Sequence, residues 1–95
     1  MHLKNGTVLR AGGQYGSIAY YYSDNELREG GPFGAIAYYV DGNEVLAGGK
    51  YGRVAYYISG DEILEGGSFG SVAFYYDGNY LLEGGRFGSI AFYLE

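Results

Sequence analysis

Five times along the chain the same short apolar run recurs: Ile18-Ala19-Tyr20-Tyr21-Tyr22, Ile36-Ala37-Tyr38-Tyr39-Val40, and matching runs from Val54, Val72 and Ile90. A shorter run follows most of them, carrying an apolar residue at Leu27, Val45, Ile63 and Leu81. Runs rich in β-branched and aromatic residues, bounded by turn residues, predict strands. A helix is ruled out by the glycine load, since each glycine costs about 1 kcal/mol in a helix interior. Between the long and short runs stand Asp41-Gly42-Asn43, Ser59-Gly60-Asp61, Asp77-Gly78-Asn79 and the glycine-free Ser23-Asp24-Asn25. Such residues tolerate the positive φ of tight hairpin turns, so each unit reads as long strand, turn, short strand. The turn can be centred on Asp-Gly or on Gly-Asn, and that one-residue choice decides which face of the short strand is inward.

A Gly-Gly pair opens each unit, at Gly12, Gly30, Gly48, Gly66 and Gly84, always 18 residues apart. An aromatic residue follows at Tyr15, Phe33, Tyr51, Phe69 and Phe87, and directly after it a glycine. This second glycine predicts a bulge or a point of close backbone approach covered by the neighbouring ring. The chain starts in mid-unit, with Asn5-Gly6 aligned to a turn and Thr7 to Ala11 to a short strand, and it ends on a long strand, Phe87 to Leu94. The two halves are complementary. Residues 1–95 therefore read as one repeat domain in which residues 1–11 complete the last unit. The expected architecture is all-β, with five tandem antiparallel hairpins closed into a barrel- or propeller-like ring that leaves no free edge. A β-solenoid is the alternative, and it would need capping sequences at its ends.

Alternation places Ile36, Tyr38 and Val40 on one face of the long strand and Phe33, Ala35, Ala37 and Tyr39 on the other. The first face is the more continuously apolar and is taken as the core. On the second, Ala19, Ala37, Ala55, Ala73 and Ala91 recur, each followed two residues later by Tyr21, Tyr39, Tyr57, Tyr75 or Tyr93.

Composition sharpens this picture. The 95 residues include 19 glycines, 13 tyrosines and 5 phenylalanines, with one proline and no tryptophan. Disordered chains are poor in aromatics, so this one is expected to fold. With no cysteine there is no disulfide framework and no thiolate chemistry. The start of the chain lacks a charged-then-apolar leader, and no apolar stretch reaches the roughly 20 residues of a spanning helix. A soluble chain is expected, with the cytoplasm favoured as its compartment. The formal charge of −5 repels phosphate backbones and anionic lipid heads at long range, which argues against nucleic acid as a partner.

The stretch Gly70-Ser71-Val72-Ala73-Phe74-Tyr75-Tyr76-Asp77-Gly78-Asn79-Tyr80-Leu81-Leu82-Glu83-Gly84 resembles a MORN repeat, which implies a meandering sheet of hairpins; the Trp and His-Gly portions of that pattern are missing. Tyr56 to Gly67 is similar to the hairpin repeats of choline- and glucan-binding cell-wall modules, whose ligand pockets use tryptophans. Nearly the whole chain resembles short tandem hairpin repeats of uncharacterised bacterial proteins, which imply no activity. Its regularity also suits a consensus-designed chain.

Candidate chemistry is sparse. The single histidine, His2, stands beside the terminus, and no Ser-His-Asp or Cys-His set can be assembled. Gly-Gly-x-aromatic-Gly matches neither a Walker loop nor a dinucleotide fingerprint, and no helix follows it to supply a dipole. Asp41, Glu44, Asp61, Glu62 and Asp77 gather at the turns, but calcium wants six to eight oxygens, so neighbouring turns would have to cooperate. The expectation is a protein without enzymatic activity, catalytic residues, metal site or cofactor. The repeated face of Tyr21, Tyr39, Tyr57, Tyr75 and Tyr93, flanked by Tyr15, Phe33, Tyr51, Phe69 and Phe87, predicts an aromatic belt if it is outward. It is the main functional hint, because aromatics are over-represented in interfaces and in grooves for sugars or quaternary amines. It predicts a structural or protein-interaction module, most simply a homo-oligomer or a protein with a docked partner. The alternative is a carbohydrate- or amine-binding module that uses the repeated tyrosines for a small ligand.

Overall fold

The computed structural model describes residues 3–95; His2 lies outside the described residues. Ten antiparallel strands form a single closed barrel: β1 (Val8–Ala11), β2 (Ile18–Ser23), β3 (Glu26–Glu29), β4 (Ile36–Asp41), β5 (Glu44–Ala47), β6 (Val54–Ser59), β7 (Glu62–Glu65), β8 (Val72–Asp77), β9 (Tyr80–Glu83) and β10 (Ile90–Leu94). Each strand pairs with its sequence neighbours, and β1 closes the ring on β10 with Leu9 opposite Leu94 and Ala11 opposite Phe92. Closure rules out the solenoid. The Cα envelope measures 33 × 32 × 16 Å, with two equal axes and one short one, as a disc with its rotation axis along the short direction must have.

The tight turns settle the register that the sequence left open. Asp41 pairs with Glu44, so the two-residue loop is Gly42-Asn43; Gly60-Asp61 and Gly78-Asn79 follow suit. Gly42, Gly60 and Gly78 have φ of 63°, 62° and 60°, and the residue after each has no positive φ, the pattern of a type II′ turn. The first unit lacks the glycine. There Asp24 and Asn25 both take positive φ, 52° and 69°, as a type I′ turn requires.

On the other side of each unit a regular bulge corrects the simple alternation. Leu27 pairs with Tyr38 but Arg28 with Ile36, so Ala37 is an extra residue in the ladder, and the same shift recurs at the equivalent pairing of every unit. Tyr38 and Val40 point inward as expected. Ile36 instead shares the outer face with its partner Arg28, and its counterparts Ile18 and Ile90 are well exposed. The bulge thus sits at the alanine and not at the glycine after the aromatic. The displaced alanine carbonyl is used, since Gly48 N donates to Ala37 O at 2.7 Å and Gly30 N to Ala19 O at 3.0 Å.

The core fills the barrel in layers. Leu9, Leu27, Val45, Ile63 and Leu81 from the short strands are buried along the axis, at 5–9% exposure. Tyr22, Val40, Ile58, Tyr76 and Leu94 pack against them towards the turn end, with Leu3 from the N-terminal arm. Towards the other end lies a closed circle of Tyr20, Tyr38, Tyr56, Phe74 and Phe92, each ring 5.8–6.0 Å from the next. Outside the wall a second apolar layer forms, because Leu46, Leu64 and Leu82 are also buried. Arg10 and Arg28 take their place in the first two units.

Candidate functional site

Five loops of equal length, six residues each, connect the short strands to the next long ones and form one rim of the disc. Their conformation follows from the glycines. In the second unit Gly34 N donates to Gly31 O at 3.1 Å, closing a turn whose two central residues are Pro32 and Phe33. Proline suits the first central position because its ring already holds φ near −65°. Gly34 then runs so close to the short strand that an added Cβ would collide with the Glu29 carbonyl, and the same holds for Gly16, Gly52, Gly70 and Gly88 against their own neighbours.

This turn puts the aromatic at its apex with nothing above it. Tyr15, Phe33, Tyr51, Phe69 and Phe87 are 93–101% exposed, whereas every other large aromatic is at least half-buried. The rings therefore do not cover the glycines. Among the described residues no tip ring stacks on another ring; Lys50 Nζ lies 5.8 Å from the Tyr51 ring centre and the Arg86 guanidinium 5.6 Å from that of Phe87. Charge is divided between the two ends. Arg10 is ion-paired with Glu95 and Arg28 with Glu26. Of the remaining charges, Lys50, Arg53 and Arg86 with Glu29, Glu65 and Glu83 make the loop half formally neutral, and Lys4 with the other six acids gives the turn half −5.

The tyrosines singled out in the sequence occupy the outer wall. Tyr39 lies between Glu26 and Leu46 on the adjoining strands, Tyr57 between Glu44 and Leu64, and Tyr75 between Glu62 and Leu82. Tyr21 is flanked by Val8 and Arg28, and Tyr93 by Arg10 and by Tyr80, whose ring centre is 5.4 Å away. All five are half-buried by these neighbours. The structure brings them into one belt but tiles them into the wall.

The barrel axis holds a second feature. An apolar cavity of about 110 Å³ is lined by the five-ring circle, by the short-strand leucines and by Leu3. At the loop end, Glu29 and Glu65 stand opposite Tyr20 and Tyr56 in the ladder. Burial, the adjoining Tyr38 and Glu29 raise the pKa of Tyr20 above its ordinary value of 10.0. Burial, Tyr38 and Glu65 do the same for Tyr56. The turn acids do not converge: among the described residues no group of three His, Asp or Glu side chains could hold a metal ion.

Tandem hairpins of constant length, paired only with their neighbours and closed on themselves, define the class as an all-β, pseudo-symmetric closed barrel of repeats. Within it, the chain belongs to the 6-fold beta flower protein family, whose model matches residues 4–95. That description counts six, while the present barrel contains five hairpins. No curated protein and no solved structure matches the chain. The family match supports the tandem-hairpin reading and lends nothing to the likeness with MORN or choline-binding repeats.

Proposed function

We propose that this protein is a five-petalled member of its family and a non-enzymatic interaction module whose contact surface is the rim of aromatic tips. The observation that carries this reading is the exposure of five rings, 93–101% each, at equivalent positions of five equal loops. The fold does not need them there, since no tip packs on the core, and exposing apolar rings to water is unfavourable unless something covers them. The contact is assigned to the tips and not to the belt of Tyr21, Tyr39, Tyr57, Tyr75 and Tyr93, because the belt is already tiled by its own neighbours.

Replacing Phe33, Phe69 and Phe87 together by serine tests this. The β circular-dichroism signature and the melting temperature should stay unchanged, while binding of a hydrophobic dye, or any self-association seen by light scattering, should fall. A large drop in melting temperature would show that the rings are structural and would overturn the reading.

A second reading, a site for an organic amine, is favoured by the axial circle. Rings 5.9 Å apart on a regular pentagon stand about 5 Å from its centre, within cation–π range, and Glu29 and Glu65 add negative charge at that end. Titration with choline, followed by the tyrosine absorption of Tyr20, Tyr38 and Tyr56, would detect it.

A further inference from the structure

We infer that the surface covered by the aromatic rim is the interface of a lipid bilayer, on which the disc lies flat with its acidic rim facing away. This rests on the reading of the tips as the contact surface and names what they touch.

Three observations favour a bilayer over a protein. First, the tips are separate. They crown loops spread around a disc about 33 Å across, and none stacks on another, so they make no continuous apolar patch of the kind a globular partner would cover. A fluid surface can take five separated rings at once, and aromatic side chains are the residue type that settles at the headgroup level. Second, cations are interleaved with the rings. Lys50, Arg53 and Arg86 lie in the tip loops, two of them directly over a tip ring, while Arg10 and Arg28 donate to the loop carbonyls of Gly16 and Gly34 at 3.0 Å. The net charge of −5 suggests repulsion from anionic lipid, but the fold segregates that charge. With Arg10 neutralised by Glu95 and Arg28 by Glu26, the loop half is formally neutral and carries its remaining cations in the tip loops, while the turn half carries −5. Anionic headgroups therefore repel the turn face and meet Lys50, Arg53 and Arg86 on the other, which fixes the orientation. Third, depth is limited by geometry. The strands are four to six residues long, short of the nine to eleven that cross a membrane as a barrel wall, and the outer wall carries Arg10, Glu26, Arg28, Glu44 and Glu62. The tips enter the interface and the barrel stays outside.

Five equivalent anchors on one rigid body act together, so losing some of them weakens binding by more than their share. Each ring moved from water into the interface is worth about tenfold in partition coefficient, and the cations contribute a part that salt screens.

The test uses the full chain and vesicles of phosphatidylcholine, with and without one quarter phosphatidylglycerol, in a co-sedimentation assay. The wild type should bind the phosphatidylglycerol vesicles more tightly than the neutral ones, and less so at high salt. F33S/F69S/F87S should lose at least about a hundredfold on both. K50Q/R53Q/R86Q should lose only the preference for the anionic vesicles. A single F69W chain, the only tryptophan in the protein, should shift its emission to the blue when vesicles are added. Vesicle binding that the serine variant retains would overturn the inference. Absence of wild-type binding, with a serine variant that falls from an assembly to a monomer by light scattering, would overturn the lipid assignment and keep the rim as an interface between copies. Absence of both effects would overturn the rim reading as well.

Discussion

Arg28 reaches from the outer face of β3 to the carbonyl oxygen of Gly34, 3.0 Å from its Nη1, and so fills the place that Leu46, Leu64 and Leu82 fill in the later units. Two solutions to one position coexist in the barrel. A leucine buries apolar surface between a belt tyrosine and an outward β-branched residue; an arginine lays its stem over the same residues and ties its head to the loop. Arg28 also pairs with Glu26 at 2.8 Å, but both side chains are about 30% exposed, where such pairs contribute little. Arg28→Leu should therefore change stability by less than about 1 kcal/mol, towards stabilisation, as substitutions to a repeat's own consensus often do. Urea denaturation measures it.

Gly34 and Gly31 lie three residues apart in the same loop yet should respond oppositely to alanine. A Cβ on Gly34 meets the Glu29 carbonyl, which is fixed in the barrel wall; one on Gly31 meets nothing, and its backbone has no positive φ. Gly34→Ala should cost at least about 2 kcal/mol. Gly31→Ala should be neutral or gain up to about 1 kcal/mol by restricting the unfolded chain. Thermal melts of the two variants decide the point.

Tyr20 and Tyr56 give the barrel an alkaline limit. Burial and the neighbouring Tyr38, Glu29 and Glu65 raise both above 10.0, so these hydroxyls hold their protons longer in the folded than in the unfolded chain. Their contribution is complete below pH 10 and is lost as pH rises through the raised folded values. Denaturation midpoints should fall above pH 10, and Tyr20→Phe with Tyr56→Phe should flatten that fall.

Tyr39 and Tyr57 serve as wall residues. Replacing both with serine should lower the melting temperature by several degrees, through lost contact with Leu46 and Leu64, without changing the molecular mass in solution. A shift of mass with an unchanged melt would return the interface to the belt.

The sequence carried the ring well, because an 18-residue period without insertions and two complementary ends leave few topologies. It carried the faces less well. Strict alternation failed at Ile36, since a bulge one residue on, at Ala37, reverses the side on which every earlier residue stands. Periodicity has no signal for a bulge when the extra residue is itself small and apolar. The tips were visible as flanks of the tyrosine belt but not as a site of their own. Phe33 next to Gly34 reads as a ring shielding a glycine, and only the turn closed by Gly34 N and Gly31 O shows that the ring is held away from the chain. The usable clue was Pro32: a proline and an aromatic between two glycines describe a turn apex, where a large apolar side chain has no structural duty.

Pairing of β1 with β10 also shapes how the chain reaches this form. Every other ladder joins strands adjacent in sequence, whereas closing the ring brings Arg10 within 2.6 Å of Glu95, 85 residues away. Hairpins can zip up locally and quickly, but the final seam must wait until the whole ribbon has curled far enough for its two ends to meet. Until then both terminal strands offer open ladders to any other molecule. The last step of folding is thus also the moment of greatest risk, when a ribbon can shut on itself or marry the free edge of a sister chain into a larger, domain-swapped wreath.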